Sequence, residues 1–237
     1  MATAILVDGE FFLRRFEHAF PDHNRNSPES VAHGLGLLAY WHLALRIGPS
    51  QLTEQITKHN FQLAESRDFY RIFFYDCEPL RKRMHTPVGR RSVDFAKTPD
   101  AVFRLALHRE IGKLRKVALR LGRLNDTARW KLSTEATERL IKDPANFAAQ
   151  DSDFKIDTIQ KGVDMRLGLD VASLAFKKQV DQIIIVSADA DFVPAAKLAR
   201  REGIDVVLDR MGARTAANDL MEHVDGVRDC FWPAPKG

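Results

Sequence analysis

Ile183-Ile184-Ile185-Val186-Ser187-Ala188-Asp189-Ala190-Asp191-Phe192 is the stretch that decides the fold. Four β-branched residues in a row suit a strand buried on both faces, as in a parallel sheet. The strand runs into two carboxylates, and Val193 to Arg201 then reads as a helix. Open α/β sheets place their ligands beyond the carboxyl ends of the strands. Two acids there, one residue apart, suit a divalent cation held through oxygen. The start of the chain repeats the arrangement, with Ala4-Ile5-Leu6-Val7 leading into Asp8-Gly9-Glu10. Two strands that each bring carboxylates to one sheet edge predict a metal-dependent site.

The alternation extends outward from that stretch. A helix (165–178), strand (182–187), helix (192–202), strand (204–208) and helix (214–222) follow one another, which predicts βαβ units and a mostly parallel sheet. Near the N-terminus, Phe12, Phe16 and Phe20 at i, i+4 and i+8 predict a helix packed on the sheet. Ser27 and Pro28 predict the N-cap and first residue of a second, very apolar helix running to about Ile47. Gly34 and Gly36 within it read as close-packing positions. Aromatic residues make Asp68 to Tyr75 a second strand, ending in Asp76. Glu78 to Lys97, with Pro79, Pro87 and Gly89, reads as an exposed loop. Apolar residues at roughly helical spacing predict one amphipathic helix from Pro99 to Leu121. A short edge strand (Ala128–Leu132), a short helix (Ser133–Ile141) and a polar connection (Lys142–Asp157) come next. Residues 232–237 read as a flexible tail.

Composition sets wider bounds. A chain of 237 residues, 45% hydrophobic and 29% charged, suits one large soluble α/β domain or a domain with an insertion. No apolar run approaches the roughly 20 residues of a membrane span. Met1-Ala2-Thr3-Ala4 lacks a basic signal-peptide start, and two cysteines are too few for a disulfide framework, so a cytoplasmic protein is expected. The net charge of +4 hides an asymmetry: residues 78–131 carry 15 Lys or Arg against 5 Asp or Glu, so +10 there is set against −6 elsewhere. A basic module beside an acidic edge suits a phosphate backbone gripped next to a metal. Arg81, Lys82, Arg90, Arg91 and Lys161 are the candidate phosphate contacts; a solvated helical face is the plainer reading. The eight histidines show no metal-ligand spacing, which argues against zinc.

A third acid stands in Lys161-Gly162-Val163-Asp164, just before the run Met165 to Lys178. Asp164 occupies what reads as an N-cap position, yet it falls on the same expected edge as Asp8, Asp189 and Asp191. Lesser positions are Asp170, Asp76, Asp209 and Glu10, the last suited to complement a helix dipole.

Taken in order, Val7-Asp8-Gly9, then Gly122-Arg123-Leu124 through Trp130, then Lys161-Gly162-Val163-Asp164 with Leu167 to Asp170, then Val186 to Pro194, then Arg200-Arg201-Glu202-Gly203-Ile204 resembles the NYN family of PIN-like nucleases. The resemblance implies an α/β fold, a PIN-like three-layer α/β/α sandwich with a mostly parallel central sheet. It implies Mg²⁺ or Mn²⁺ held by aspartates and used to hydrolyse RNA phosphodiesters. Asp8 matches the first acid of the family, Asp164 the acid of its KGVD element, and Asp189 and Asp191 the pair of its SGDSDF-like element. Two positions depart: Phe11 stands where the family often has Asn, and Ala188 where it usually has Gly.

The expectation is therefore a metal-dependent ribonuclease whose catalytic and metal-binding residues are Asp8, Asp164, Asp189 and Asp191, with RNA as partner and no membrane. One domain spans 1–231, elaborated at 22–66 and 78–131, and assembly into a homo-oligomer stays open. The alternatives are a non-catalytic RNA-binding or regulatory protein of the same fold and, behind it, a metal-dependent phosphatase.

Overall fold

The computed structural model describes residues 2–44, 68–124, 128–158, 160–214 and 218–231. Its central element is β1 (Thr3–Asp8), which passes directly into α1 (Gly9–Ala19). Then come α2 (Pro28–Ala44), β2 (Phe69–Cys77), the hairpin β3 (Arg83–His85) and β4 (Ser92–Asp94), α3 (Pro99–Lys113) and β5 (Val117–Leu124). The second half holds β6 (Arg129–Leu132), α4 (Thr134–Lys142), β7 (Phe154–Asp157), β8 (Gln160–Lys161), α5 (Val163–Phe176), β9 (Gln182–Val186), α6 (Val193–Arg201), β10 (Asp205–Asp209), α7 (Asn218–Glu222) and β11 (Gly226–Arg228).

The main sheet has the order β11-β10-β9-β1-β2-β5-β8. Its first six strands are all parallel, and β8 joins antiparallel to β5. This is the doubly wound arrangement: the chain adds β2 and β5 on one side of β1, then returns to add β9, β10 and β11 on the other. The reversal falls between β1 and β9, whose registers run from Thr3 opposite Gln182 to Val7 opposite Val186. Ile183 to Val186 and Ala4 to Val7 are all buried, as expected of strands covered on both faces.

Alternate side chains of these strands feed two cores. Ile5, Val7, Ile184 and Val186 pack with Phe12, Phe16 and Phe20, with Leu35 and Leu38 of α2, and with Leu107 and Ile111 of α3. Ala4, Leu6, Ile183 and Ile185 pack with Leu167, Val171 and Leu174 of α5, with Ala196 of α6 and with Leu220 of α7. Helices thus cover both faces, which makes the expected three layers. Gly34 is a close-packing position, since a Cβ there would run into the Phe16 ring. Residues 45–67, including the expected end of the second helix, lie outside the described residues, as does the tail 232–237. Among the described residues no helix is long and apolar enough to cross a membrane.

Three expectations are corrected. The helix expected over Pro99–Leu121 stops at Lys113, and the chain turns through Lys116 in the left-handed region (φ 59°) to form β5. Leu114, Val117, Ala118 and Leu121 fit a helical stripe by spacing, but Val117, Leu119 and Leu121 alternate as in a strand, and Ile72 to Cys77 of β2 supply its ladder. The basic stretch thereby gives the central sheet a strand. Glu78–Lys97 is no plain loop: it carries the hairpin, with Arg83 opposite Asp94 and His85 opposite Ser92. Its tip is pinned by Asp151, which accepts from the amides of Val88 (2.9 Å) and Gly89 (3.0 Å) and pairs with Arg91 (3.2 Å). The polar connection before Asp157 contains β7, paired antiparallel with β6. Trp130 of β6 donates to the carbonyl of His85 at 2.8 Å and so joins the two small sheets.

Candidate functional site

The point where a doubly wound sheet reverses leaves a crevice, because the loops leaving the two neighbouring strands go to opposite faces. Here the crevice opens beyond Asp8 and Val186. Asp8 ends β1 and caps α1, its Oδ1 accepting from the Phe11 amide at 3.1 Å. Its Oδ2 accepts from the Ser187 hydroxyl at 3.2 Å. The same hydroxyl accepts from the Asp189 amide at 3.1 Å, and Asp189 caps a short 3-10 turn through the Asp191 amide at 3.1 Å. One fully buried serine therefore couples the acidic ends of β1 and β9.

These groups open into a cavity of about 350 Å³ lined by Asp8, Glu10, Arg14, Asp76, Asp189 and Asp191, with Tyr75, Val163 and Phe192 as its apolar wall. Burial pushes the Asp8 carboxyl above its ordinary range. The Phe11 amide, the Ser187 hydroxyl and Arg14 oppose that shift, and the charge of Asp189 adds to it. Asp8 shares this cleft with Asp189 and Asp191, which lie far from it in sequence. Asp164 is the second residue of α5, directly after Val163 of the cleft wall. It is not the N-cap, a place taken by Gly162 in the left-handed region (φ 81°). The side chains of Asp164 and Lys161 lie outside the described residues.

Three other acids, Asp76 and Asp209 at strand ends and Asp170 within α5, meet basic partners. Asp76 is buried against Arg104 (2.5 Å) and His108 (2.7 Å), one turn apart on α3. Asp209, fully buried, holds His42 at 2.8 Å and accepts from the amides of Met211 and Cys230. Asp170 takes a two-point grip from Arg120 (2.8 and 3.0 Å) and accepts from Tyr75 at 3.0 Å. Cys77, beside Asp76, has its thiol pushed up to about 11 by burial and by the Asp76 charge, so it is no nucleophile near neutral pH.

Sequence reasoning missed Ser187 and Arg14, and read Glu10 first as a first-turn acid complementing the helix dipole. Glu10 and Arg14 stand four apart on α1 and so present one helix face. That spacing after a capping Asp8 was the available signal. For Ser187 nothing local existed, since its partner is on another strand. The basic candidates separate. Arg81, which pairs with Glu78 at 3.4 Å, and Lys82 line a second groove beside the cleft. Arg90 and Arg91 sit instead at the hairpin tip, Arg91 tied to Asp151.

The donors facing the cleft are carboxylate oxygens, with no cysteine or histidine among its lining residues. Such a set fits a hard divalent cation such as Mg²⁺ or Mn²⁺. Among the described residues, the three metal-capable side chains whose ligand atoms lie within 4.8 Å of one another are Asp219, Glu222 and His223, on the surface outside the cleft. Among the described residues, no three of the cleft carboxylates bring ligand atoms that close to one another.

The sequence model of the NYN domain matches residues 100–229. An uncharacterized protein of Methanocaldococcus jannaschii, MJ0482, is 27% identical over 124 residues, covering 52% of this chain and 49% of that protein. The chain thus spans about half the length of the curated relative it matches. A crystal structure of VPA0982, a protein of unknown function from Vibrio parahaemolyticus, is 16% identical, with a TM-score of 0.44 over 97% of this chain and 94% of that one.

Proposed function

The chain belongs to the NYN domain family, whose members are PIN-like and nuclease-like, and from that premise we propose that it is a metal-dependent ribonuclease. The observation that carries the reading is the coupling of Asp8 to Asp189 through Ser187 at the reversal of the sheet. Asp8, Asp164, Asp189 and Asp191 are the proposed ligands of Mg²⁺ or Mn²⁺. A bound divalent cation would supply charge neutralisation and a more acidic water for attack on a phosphodiester.

The chain's own residues prepare the rest. The Phe11 amide and Ser187 hydroxyl aim both Asp8 oxygens, and the capping bond to Asp191 orients Asp189. Arg14 is placed to bind a non-bridging phosphate oxygen, and Glu10 to take up a proton. Buried thiols at Cys77 and Cys230 suit the reducing cytoplasm in which we place the protein.

The test is incubation of purified protein with labelled single-stranded RNA in Mn²⁺, Mg²⁺ or EDTA. Fragments are expected with metal and not with EDTA, and Asp189→Asn should abolish them while keeping the wild-type melting temperature. Mn²⁺ at about 100 times its Kd should stabilise the wild type by about 2.7 kcal/mol, and Asp189→Asn by much less. Cleavage that survives EDTA or Asp189→Asn would refute the reading. One observation favours a non-catalytic RNA-binding protein. Phe11 stands where the family often has Asn and is buried in the core, so the cleft lacks that amide. RNA binding without fragments in any metal would select this second reading.

A further inference from the structure

We infer that the groove beside the cleft is a second anionic subsite, which holds the phosphodiester backbone of single-stranded RNA next to the reacting bond. This rests on the ribonuclease reading and adds where the strand runs. The groove measures about 800 Å³ and is lined by Arg81, Lys82, Arg123 and Arg166, against one acid, Glu78. Four cations and one anion leave a local balance of +3, while the neighbouring cleft is lined mainly by carboxylates.

Sheet register joins the two spaces. Asp76 of the cleft wall pairs with Leu121 of the groove, and Cys77 with Gly122. On α5, Val163 lines the cleft, while Arg166, three residues on and so about one turn away, lines the groove. The tertiary fold assembles the basic set. Arg123 at the end of β5 lies opposite Lys161 of β8, and the left-handed Gly162 then turns the chain into α5, which brings Arg166 alongside. Arg81 and Lys82 arrive from the segment after β2. The hairpin tip contributes none of the groove's lining residues, and its Arg91 pairs with Asp151.

The shape selects the occupant. A concave groove of this volume is of the size that takes a small ligand, and a duplex would bridge its rim rather than enter. Leu80 and Leu124 add aliphatic surface among the cations, so bases can rest where phosphates are gripped. A strand whose scissile phosphate sits at Asp8 and Asp189 has its adjacent phosphates over Arg123 and Arg166.

The experiment is fluorescence anisotropy of a labelled single-stranded RNA in EDTA across a salt series, so that no cutting intervenes. The double variant Arg123→Gln, Arg166→Gln is compared with wild type and with Lys177→Gln, Lys178→Gln at the far end of α5. That control lies about 16 Å from Arg166 along the helix. Losing two phosphate contacts should flatten the slope of log affinity against log salt by about 1.4 units, a difference of about 25-fold between 1 M and 0.1 M salt. The control should retain the wild-type slope, and all three proteins should melt alike. A groove variant with the wild-type slope overturns the subsite and leaves the ribonuclease reading intact. Equal flattening in the control also overturns it, since the effect is then net charge alone. A wild type that binds no RNA overturns it as well, and the metal-dependent cleavage assay judges the parent reading separately.

Discussion

Gly9→Ala tests how the Asp8 carboxylate is kept in place. Gly9 begins α1, and a Cβ built on it would stand 2.7 Å from the backbone oxygen of Tyr75 and 2.8 Å from Cε1 of Phe74. Neither neighbour can give way cheaply. The Tyr75 carbonyl belongs to β2, which is paired on both sides by β1 and β5, and Phe74 is fully buried. Overpacking of this kind costs about 1–3 kcal/mol. In a chain of this length each kcal/mol moves the melting temperature by about 2–4 °C, so a fall of about 2–12 °C is expected. The relief available is an outward shift of α1, which would carry Asp8 away from Ser187 and weaken Mn²⁺-dependent stabilisation and cleavage together. Gly112→Ala makes the same chemical change in α3, where a Cβ meets nothing within 4 Å. There the gain in helix propensity is up to about 1 kcal/mol, and the melting temperature should hold or rise. Thermal melts followed by circular dichroism decide the matter. A Gly9→Ala protein with the wild-type midpoint, or a Gly112→Ala protein that loses as much, would refute the reasoning.

Two further outcomes follow from side chains away from the cleft. Asp151 is held at about 2, chiefly by the Gly89 amide and then by the Val88 amide, Thr86 and Arg91. Its carboxyl titrates below the ordinary value of 3.8, so its support of the hairpin is complete above that value and is lost as pH falls through about 2. The protection of the Val88 and Gly89 amides relative to intrinsic exchange, followed by NMR, should therefore hold down to about pH 4 and fall below it, whereas in Asp151→Ala it should be low at every pH; wild-type protection in the variant would contradict this. His42→Ala should destabilise the chain by about 3–5 kcal/mol in chemical denaturation, because it strands the fully buried Asp209 carboxylate without its partner at 2.8 Å. A loss below about 1 kcal/mol would mean that the amides of Met211 and Cys230 suffice.

What the sequence made legible is what local pattern encodes. The runs Ala4–Val7 and Ile183–Val186, apolar at every position, specify strands buried on both faces, and both appear as neighbours at the centre of the sheet. The acids after them could be assigned to one edge for the same reason, since parallel strands all end on the same side. Residues 114–121 fit both periods, Leu114, Val117, Ala118 and Leu121 the helical one and Val117, Leu119 and Leu121 the alternating one, so the expected helix over Pro99–Leu121 ran on into the strand. The left-handed Lys116 that separates helix from strand carries no side-chain signature. The hairpin tip was read as loose because its anchor, Asp151, lies about sixty residues away in the chain. Arg123 and Arg166 went unnoticed as a pair for the same reason. Their neighbourhood exists only once β8 has paired with β5.

The harder question is why some of these aspartates suit a cation and others do not, since Asp8, Asp76 and Asp209 are the same residue type and all stand at strand ends. Asp76, Asp170 and Asp209 each face a guanidinium or an imidazole that arrives from another element: Arg104 and His108, Arg120, and His42. A carboxylate matched in this way inside a protein cannot turn to a metal without abandoning its partner, at a cost of several kcal/mol. Among the described residues, Asp8 and Asp189 instead accept from neutral donors, the Phe11 amide and Ser187 hydroxyl for one and the Asp191 amide for the other. Neutral donors aim a carboxylate without cancelling its charge. The cleft consequently keeps its negative potential after folding, and burial raises the affinity of Asp8 for a proton. A small divalent cation competes for the same lone pairs and brings twice the charge. On the proposed reading, folding sorts acids of one kind into anchors and ligands by choosing their partners, and the groove of opposite sign along the next strand would let an anionic polymer lie across the ligands rather than be repelled by them.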